Sequence, residues 1–218
     1  MTDPVDLRGD VPRGTAVSVW TLGHSHHPLE LVLERLAEHE IQRVIDVRSK
    51  PYARRAAQYN RPELEVSLPR AGMTYVWLGD KLGQRPEGER FYDAEGHTLY
   101  DELLKEPWFM KAIGLLEHDA GRERVALLCL EEQPERCHRW ALIGKLLSDR
   151  GARVLHVRRD GNVQSQQEVD YIAGVAQASL FAEERVWRSP EPMWDMQARG
   201  GPGGDEHAID FDDSPYST

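Results

Sequence analysis

The stretch RVALLCLEEQPERCHRWALIGKLLSDRGARVLHVRR (residues 124–159) decides the fold. Its first part, RVALLCLE (124–131), is apolar nearly throughout instead of alternating, and so reads as a strand buried on both faces. CHRWALIGKLLSDRG (137–151) follows as a helix closed by Gly151, and ARVLHVRR (152–159) returns to strand. Strand, helix and strand, with both strands apolar, is the pattern of a parallel sheet covered by helices. Working outward, AVSVWTLG (16–23), RVIDVRS (43–49) and MTYVWLG (73–79) supply three further strands. HPLELVLERLAEHE (27–40) has Leu29, Leu33 and Leu36 at helical spacing, with Pro28 suited to a first turn. The segment holding Pro51, Pro62 and Pro69 reads as broken chain, HTLYDELLKEPWFMKAIGLLEHDAG (97–121) as helix interrupted near Pro107, and the remainder to about Trp187 as helix. The expected fold is α/β: a mostly parallel five-stranded sheet with helices on both faces, in a single domain over 16–187. An N-terminal extension (1–15) precedes it, and a disordered acidic tail (188–218) follows.

The chain has 218 residues, 40% apolar and 29% charged, which suits one core of ordinary size. No apolar run approaches the roughly 18 residues of a membrane span, and the opening MTDPVDLRGDVPRG is too polar for a signal peptide. A cytoplasmic location without membrane contact is therefore expected. Two cysteines, Cys129 and Cys137, rule out a disulfide framework but not one redox-active pair. The net charge of −10 argues against a general nucleic-acid coat. From Gly200 onward five acids and no Lys or Arg occur, so removing them leaves −5, and this Gly-rich segment has too little apolar surface to order itself. Between Arg43 and Arg70, seven basic residues face three acids, a local positive patch.

In open parallel sheets, ligands sit at the carboxyl ends of the strands. Unusual residues fall there repeatedly: Gly23-His24-Ser25 after the first strand, Asp46 and Arg48 on the second, and Cys129, Glu131 and Cys137-His138-Arg139 after the fourth. Three segments thus aim polar chemistry at one edge.

TLGHS, DVRSKPYARR, KLGQRP and CLEEQPERCHR, in this order, resemble the motifs of the domain-of-unknown-function 488 family. The resemblance runs from about Thr21 to Val157, and its most specific part is the pattern formed by Cys129, Glu131, Pro134, Cys137, His138 and Arg139. Gln84 stands where the family has a second glycine, and Ala53 where it has a serine. The resemblance implies an α/β domain with a shared site and carries no established activity.

A helix starting near Cys137 would place its thiol, with His138 and Arg139, among unpaired N–H groups at the positive end of the helix dipole. Cys137 is then either a thiolate or part of a phosphate cradle with Arg139 as a bidentate clamp; the plainer reading is a core thiol beside a turn-capping His138. Cys129, inside an apolar strand, reads as a small buried hydrophobe. Gly23 lets the backbone approach a ligand, with His24 and Ser25 as donors, whereas His26 and His27 face solvent. Asp46 and Arg48 share a strand face, as an ion pair orienting a turn or as a general base (Asp46, or Glu131) beside phosphate-binding Arg48 and Arg54. Arg55 and Arg61 read as surface charges, and Trp77, Trp108 and Trp140 as core. A metal is disfavoured, because adjacent Cys137 and His138 rarely ligate one ion and neither C-x-x-C nor H-x-x-x-H spacing occurs.

No GxxxxGK[ST] or GxGxxG motif is present, which disfavours a P-loop ATPase and a dinucleotide-dependent dehydrogenase. No metal or cofactor is assigned. The expectation is an enzyme acting on an anionic partner, a small molecule or nucleic-acid end bearing phosphate, with Cys137, His138, Glu131 and Asp46 as catalytic candidates. Gly23, His24, Ser25, Arg48, Arg54 and Arg139 are the binding candidates. The alternative is a non-catalytic anion- or nucleic-acid-binding module.

Overall fold

A computed structural model describes residues 17–174 and 186–193. In chain order its main elements are β1 (Ser18–Gly23), α1 (Leu29–Glu38), β2 (Arg43–Asp46), α2 (Arg61–Arg70), β3 (Thr74–Trp77) and α3 (Gly79–Leu82). They continue with α4 (Tyr100–Leu104), α5 (Pro107–Ala120), β4 (Val125–Cys129), α6 (Lys145–Asp149), β5 (Arg153–Val157), β6 (Val163–Ser165) and α7 (Gln166–Ile172). The sheet order is β3-β2-β4-β1-β5-β6; the first five strands are mutually parallel, and β6 lies antiparallel on β5. Six strands therefore replace the expected five. Val163–Ser165 is too short for a periodic signal and is brought back onto β5 by a turn in which Arg158 N–H donates to the Asn162 carbonyl at 2.8 Å.

All five residues of β4 are buried, as the continuous apolar run requires at the sheet centre. Val125, Leu127 and Cys129 belong to the core under α4, α5 and α6, which includes Phe109, Ile113, Leu116 and Leu147. Ala126 and Leu128 face the other way, into the core built with Val32 and Leu36 of α1 and Leu64 and Leu68 of α2. Helix α5 forms because Pro107 occupies its first turn and Phe109, Ala112, Ile113 and Leu116 recur on one face.

Two expectations for irregular chain need correction. The proline-rich segment contains a 3-10 helix (Arg54–Tyr59) and then α2: Pro62 sits in the first turn, where no N–H is missed, and Pro69 in the last. The domain also extends past 187, since Ser189 N–H donates to the Thr98 carbonyl (2.9 Å) and Met193 N–H to that of Gly96 (2.7 Å). The rest of the expected acidic tail, the expected N-terminal extension (1–15), residue 16 and the stretch 175–185 lie outside the described residues. No helix among the described residues is long and apolar enough to cross a membrane.

The connections following β1 and β2 pack on one face of the sheet, whereas that following β4, which lies between them, packs on the other. The chain thus parts on either side of the β4 carboxyl end, the place where an open sheet leaves a crevice.

Candidate functional site

In the sheet register Gly23 pairs with Cys129 and Asp46 with Leu128, so these strand ends lie in one row. Beyond them is a concavity lined by Arg48, Ser49, Lys50, Gln84, Arg85, Cys129, Leu130, Glu131, Cys137 and His138. Of the residues expected to form the site, Arg48, Glu131, Cys137 and His138 line this concavity; Gly23, His24, Ser25, Asp46 and Arg139 stand behind it. The side chain of Arg54 lies outside what the structure describes.

Behind the wall, Asp46 organises Arg48. Arg48 Nε donates to Asp46 Oδ1 at 2.9 Å and Nη2 to Oδ2 at 2.6 Å; Arg48 N–H adds a bond to Oδ1 (3.0 Å), and Tyr75 O–H one to Oδ2 (2.8 Å). Those four bonds fill the roughly four acceptor positions of a carboxylate. Arg48 Nη2 also donates to the Tyr59 carbonyl (2.7 Å) and Nη1 to His24 Nε2 (2.9 Å), so of its five N–H groups one on Nη1 is left for the concavity.

Because a guanidinium can only donate, His24 Nε2 is an acceptor and Nδ1–H donates to the Ser25 carbonyl at 2.8 Å. The ring stacks on Tyr59 with centroids 4.1 Å apart. Burial, and then the Arg48 charge, hold its pKa well below the ordinary imidazole range, so His24 is a neutral support for Arg48. Ser25 adopts a left-handed backbone with φ 44°, and its N–H donates to the Leu130 carbonyl at 2.8 Å. Gly23 admits protein backbone instead of a ligand: a Cβ there would overlap the Glu131 carbonyl. The same loop takes up Arg139, whose Nη1 donates to the Glu131 carbonyl and Nη2 to that of Glu132 (2.7 Å). Fully buried, Arg139 ties the loop after β4 to the helix below and does not line the concavity, and its Nε–H has no hydrogen-bond partner among the described residues.

The floor belongs to β4 and to the helical segment after it. Cys137 has extended backbone (φ −127°, ψ 142°), and its carbonyl accepts from Trp140 N–H and Ala141 N–H, both at 3.0 Å, so the helical segment starts beside it, as expected. The first turns are a π-helix, Arg139–Gly144, in place of the expected α-helix. Cys129 Sγ lies 3.2 Å from Cys137 Sγ, and His138 Nδ1 lies 3.8 Å from the first sulfur and 3.7 Å from the second. His138 Nε2–H donates to the Val47 carbonyl (3.1 Å), which turns Nδ1 toward both sulfurs. Burial opposes charge on Cys137, but the neighbouring Cys129 thiol, Arg139 and His138 outweigh it and hold the Cys137 thiol well below its ordinary range. The hydrogen bond to Cys137, together with burial, pushes Cys129 well above it. Cys129 is buried as expected and is also one of the residues lining the concavity.

The upper wall carries groups with no local sequence signature. Arg85 forms no hydrogen bond or ion pair with any described residue, and burial lowers its pKa, the direction expected of a cation short of partners. Lys50, exposed at the rim, is likewise unpaired among the described residues. Glu132 is held by Arg158 through two bonds of 3.0 and 2.9 Å, whereas the half-buried Glu131 carboxylate has no such partner among the described residues, and burial, then Cys137, raise its pKa. The cations at Lys50 and Arg85 were readable only as parts of DVRSKP and KLGQRP.

Residues 28–146 match the family model described as Domain of unknown function DUF488. That is more than half of the 218 residues, and the chain belongs to this family. No significant match is found among curated proteins or solved structures.

Proposed function

We propose that this member of the family is an enzyme acting on an anionic, phosphate-bearing substrate, a nucleotide or nucleic-acid end, bound in the concavity at the strands' carboxyl ends. The observation that carries the reading is Arg85: a half-buried guanidinium with no hydrogen-bond or ion-pair partner among the described residues, on the wall of a concavity that also offers Lys50 and one N–H of Arg48. A partly buried cation without a counter-charge costs stability, and an anion bound beside it offsets that cost. Arg forms short paired hydrogen bonds to phosphate oxygens, and Lys adds a point charge at the rim.

Anion binding alone needs only such cations. This concavity also holds the Glu131 carboxylate, unpartnered among the described residues, and the Cys129, Cys137 and His138 cluster on its floor, which favours chemistry on the bound group. In this reading Asp46, His24 and Arg139 hold the site in shape, and Glu131, Cys137 and His138 face the reacting atoms. The non-catalytic module stays as the second reading, because Asp46 spends its acceptor positions on the protein itself and Arg139 holds the loop after β4 without lining the concavity.

Isothermal titration with inorganic pyrophosphate and a nucleoside 5′-monophosphate tests the binding claim. Arg85→Ala should weaken binding about 10- to 100-fold, the effect of losing charged hydrogen bonds of about 1.5–3 kcal/mol. Equal affinity in both proteins, or no binding by either, refutes it. A panel of phosphomonoesters and phosphodiesters separates the readings: turnover that Cys137→Ser or Glu131→Gln abolishes while binding persists supports the enzyme. Binding without turnover of any member supports the module.

A further inference from the structure

Cys129, Cys137 and His138 are brought together by the fold in a way that the spacing of a strand-end cysteine and a Cys-His pair eight residues beyond it does not announce. Their Sγ, Sγ and Nδ1 atoms are separated by 3.2, 3.7 and 3.8 Å, and all three residues are buried. Zinc binds thiolate sulfur at about 2.3 Å and imidazole nitrogen at about 2.05 Å, so a tetrahedral site has edges of about 3.8 Å between sulfurs and about 3.6 Å from sulfur to nitrogen. The two sulfur-to-nitrogen edges match, and the sulfur pair is about 0.6 Å closer than the ideal edge. Without moving any atom, a point at those bond lengths exists, with angles of about 88°, 116° and 122°, and their sum is close to that of three tetrahedral angles. An ion placed there keeps a fourth position free.

The second coordination layer is also present. His138 Nε2–H is fixed by the Val47 carbonyl at 3.1 Å, the arrangement that orients a metal-bound imidazole and leaves Nδ1 as the donor atom. Two thiolates and one imidazole suit a borderline-soft divalent ion and discriminate against magnesium or calcium, which take oxygen ligands. Two thiolate charges would balance the ion inside a buried floor, where an uncompensated dication would be costly.

From this geometry we infer that Cys129, Cys137 and His138 form a three-residue site for one zinc-class divalent cation, with its fourth position available to water or to an oxygen of a bound anion. All three ligands line the concavity beneath Arg48 and Arg85, so an ion here would meet whatever the wall holds. The inference goes beyond the anion-binding reading and does not depend on it; it changes Cys137 from the group facing the reacting atoms to a ligand and leaves the cationic wall as it is.

The test is titration of the reduced, metal-free full chain with Co²⁺, read by thiolate-to-cobalt charge-transfer absorption and by metal bound per chain. One Co²⁺ per chain is expected, displaced by Zn²⁺, with the absorption lost in Cys129→Ala and in Cys137→Ala. The Arg85→Ala chain should take up Co²⁺ like the wild type even where its binding of pyrophosphate is lost, so the two readings fail separately. If the folded wild-type chain shows no thiolate-to-cobalt absorption, or both cysteine variants keep it, there is no such site. Should the cysteine variants not fold, the wild-type titration decides alone: absorption with one bound ion supports the site, and its absence overturns it.

Discussion

Asp46 shows how much of this site is support. Its carboxylate is fully buried, and its four accepted hydrogen bonds leave no lone pair for a substrate proton. The two-residue spacing of Asp46 and Arg48 made their shared face legible, but not the Tyr75 hydroxyl or the Tyr59 carbonyl, which come from 29 and 11 residues away. Asp46→Asn leaves a buried guanidinium without its counter-charge and turns an amide donor toward it. Breaking such a pair from one side costs about 3–5 kcal/mol, so urea denaturation should show a loss of that order. A loss below about 1 kcal/mol would mean that Arg48 finds another partner or solvent. Arg139 was legible as a cation beside Cys137 but not in its role, because only the folded loop shows the Glu131 and Glu132 carbonyls converging on it.

At the level of elements, the end of β1 and the loop after β4 fit by contact of backbone with backbone. Gly23 is required because the Glu131 carbonyl occupies the place of a Cβ, so Gly23→Ala must push the loop that carries Glu131 away from the sheet. Overpacking of this kind costs about 1–3 kcal/mol, and the urea midpoint should fall accordingly. An unchanged midpoint would show that the loop yields freely. The five parallel strands were legible because each is a continuous apolar run, and the break at Pro107 because proline ends a helix from its N-terminal side. The π-helix was not, since RWALIG has the same apolar character in either helix type. Its widened turn is met by distant groups: Trp187 Nε1–H donates to the Ala141 carbonyl at 2.7 Å, and a Cβ on Gly144 would meet Gln166 Oε1 at 2.5 Å. The Cys129, Cys137 and His138 cluster escaped for a related reason, since only the return of the loop over β4 brings the sulfurs together.

The whole molecule should be sensitive to acid through its buried neutral histidines. His156 joins three elements: Thr21 Oγ1–H donates to its Nδ1 at 2.7 Å, and its Nε2–H donates to Gln166 Oε1 at 3.0 Å. Burial, reinforced by the Arg139 charge, lowers its pKa to about 3. In the unfolded chain the value returns to about 6.5, so below that pH the unfolded state binds a proton that the folded state refuses. Stability is therefore complete above about pH 6.5 and declines as pH falls toward 3, with His156 contributing up to about 1.4 kcal/mol per pH unit. His24, lowered in the same direction, adds to the slope. Unfolding free energies from pH 6.5 down to 4.5 should fall more steeply for the wild type than for His156→Asn; parallel slopes would contradict the buried neutral state.

The central claim, a phosphate-bearing substrate held by the wall of the concavity, is tested most directly by a crystal structure of the full chain soaked with inorganic pyrophosphate. The ion should lie in the concavity, within hydrogen-bonding distance of the Arg85 guanidinium and the remaining Nη1 hydrogen of Arg48, over Cys137 and Glu131. An empty concavity at saturating pyrophosphate, with Arg85 paired to a carboxylate of the protein, would contradict it.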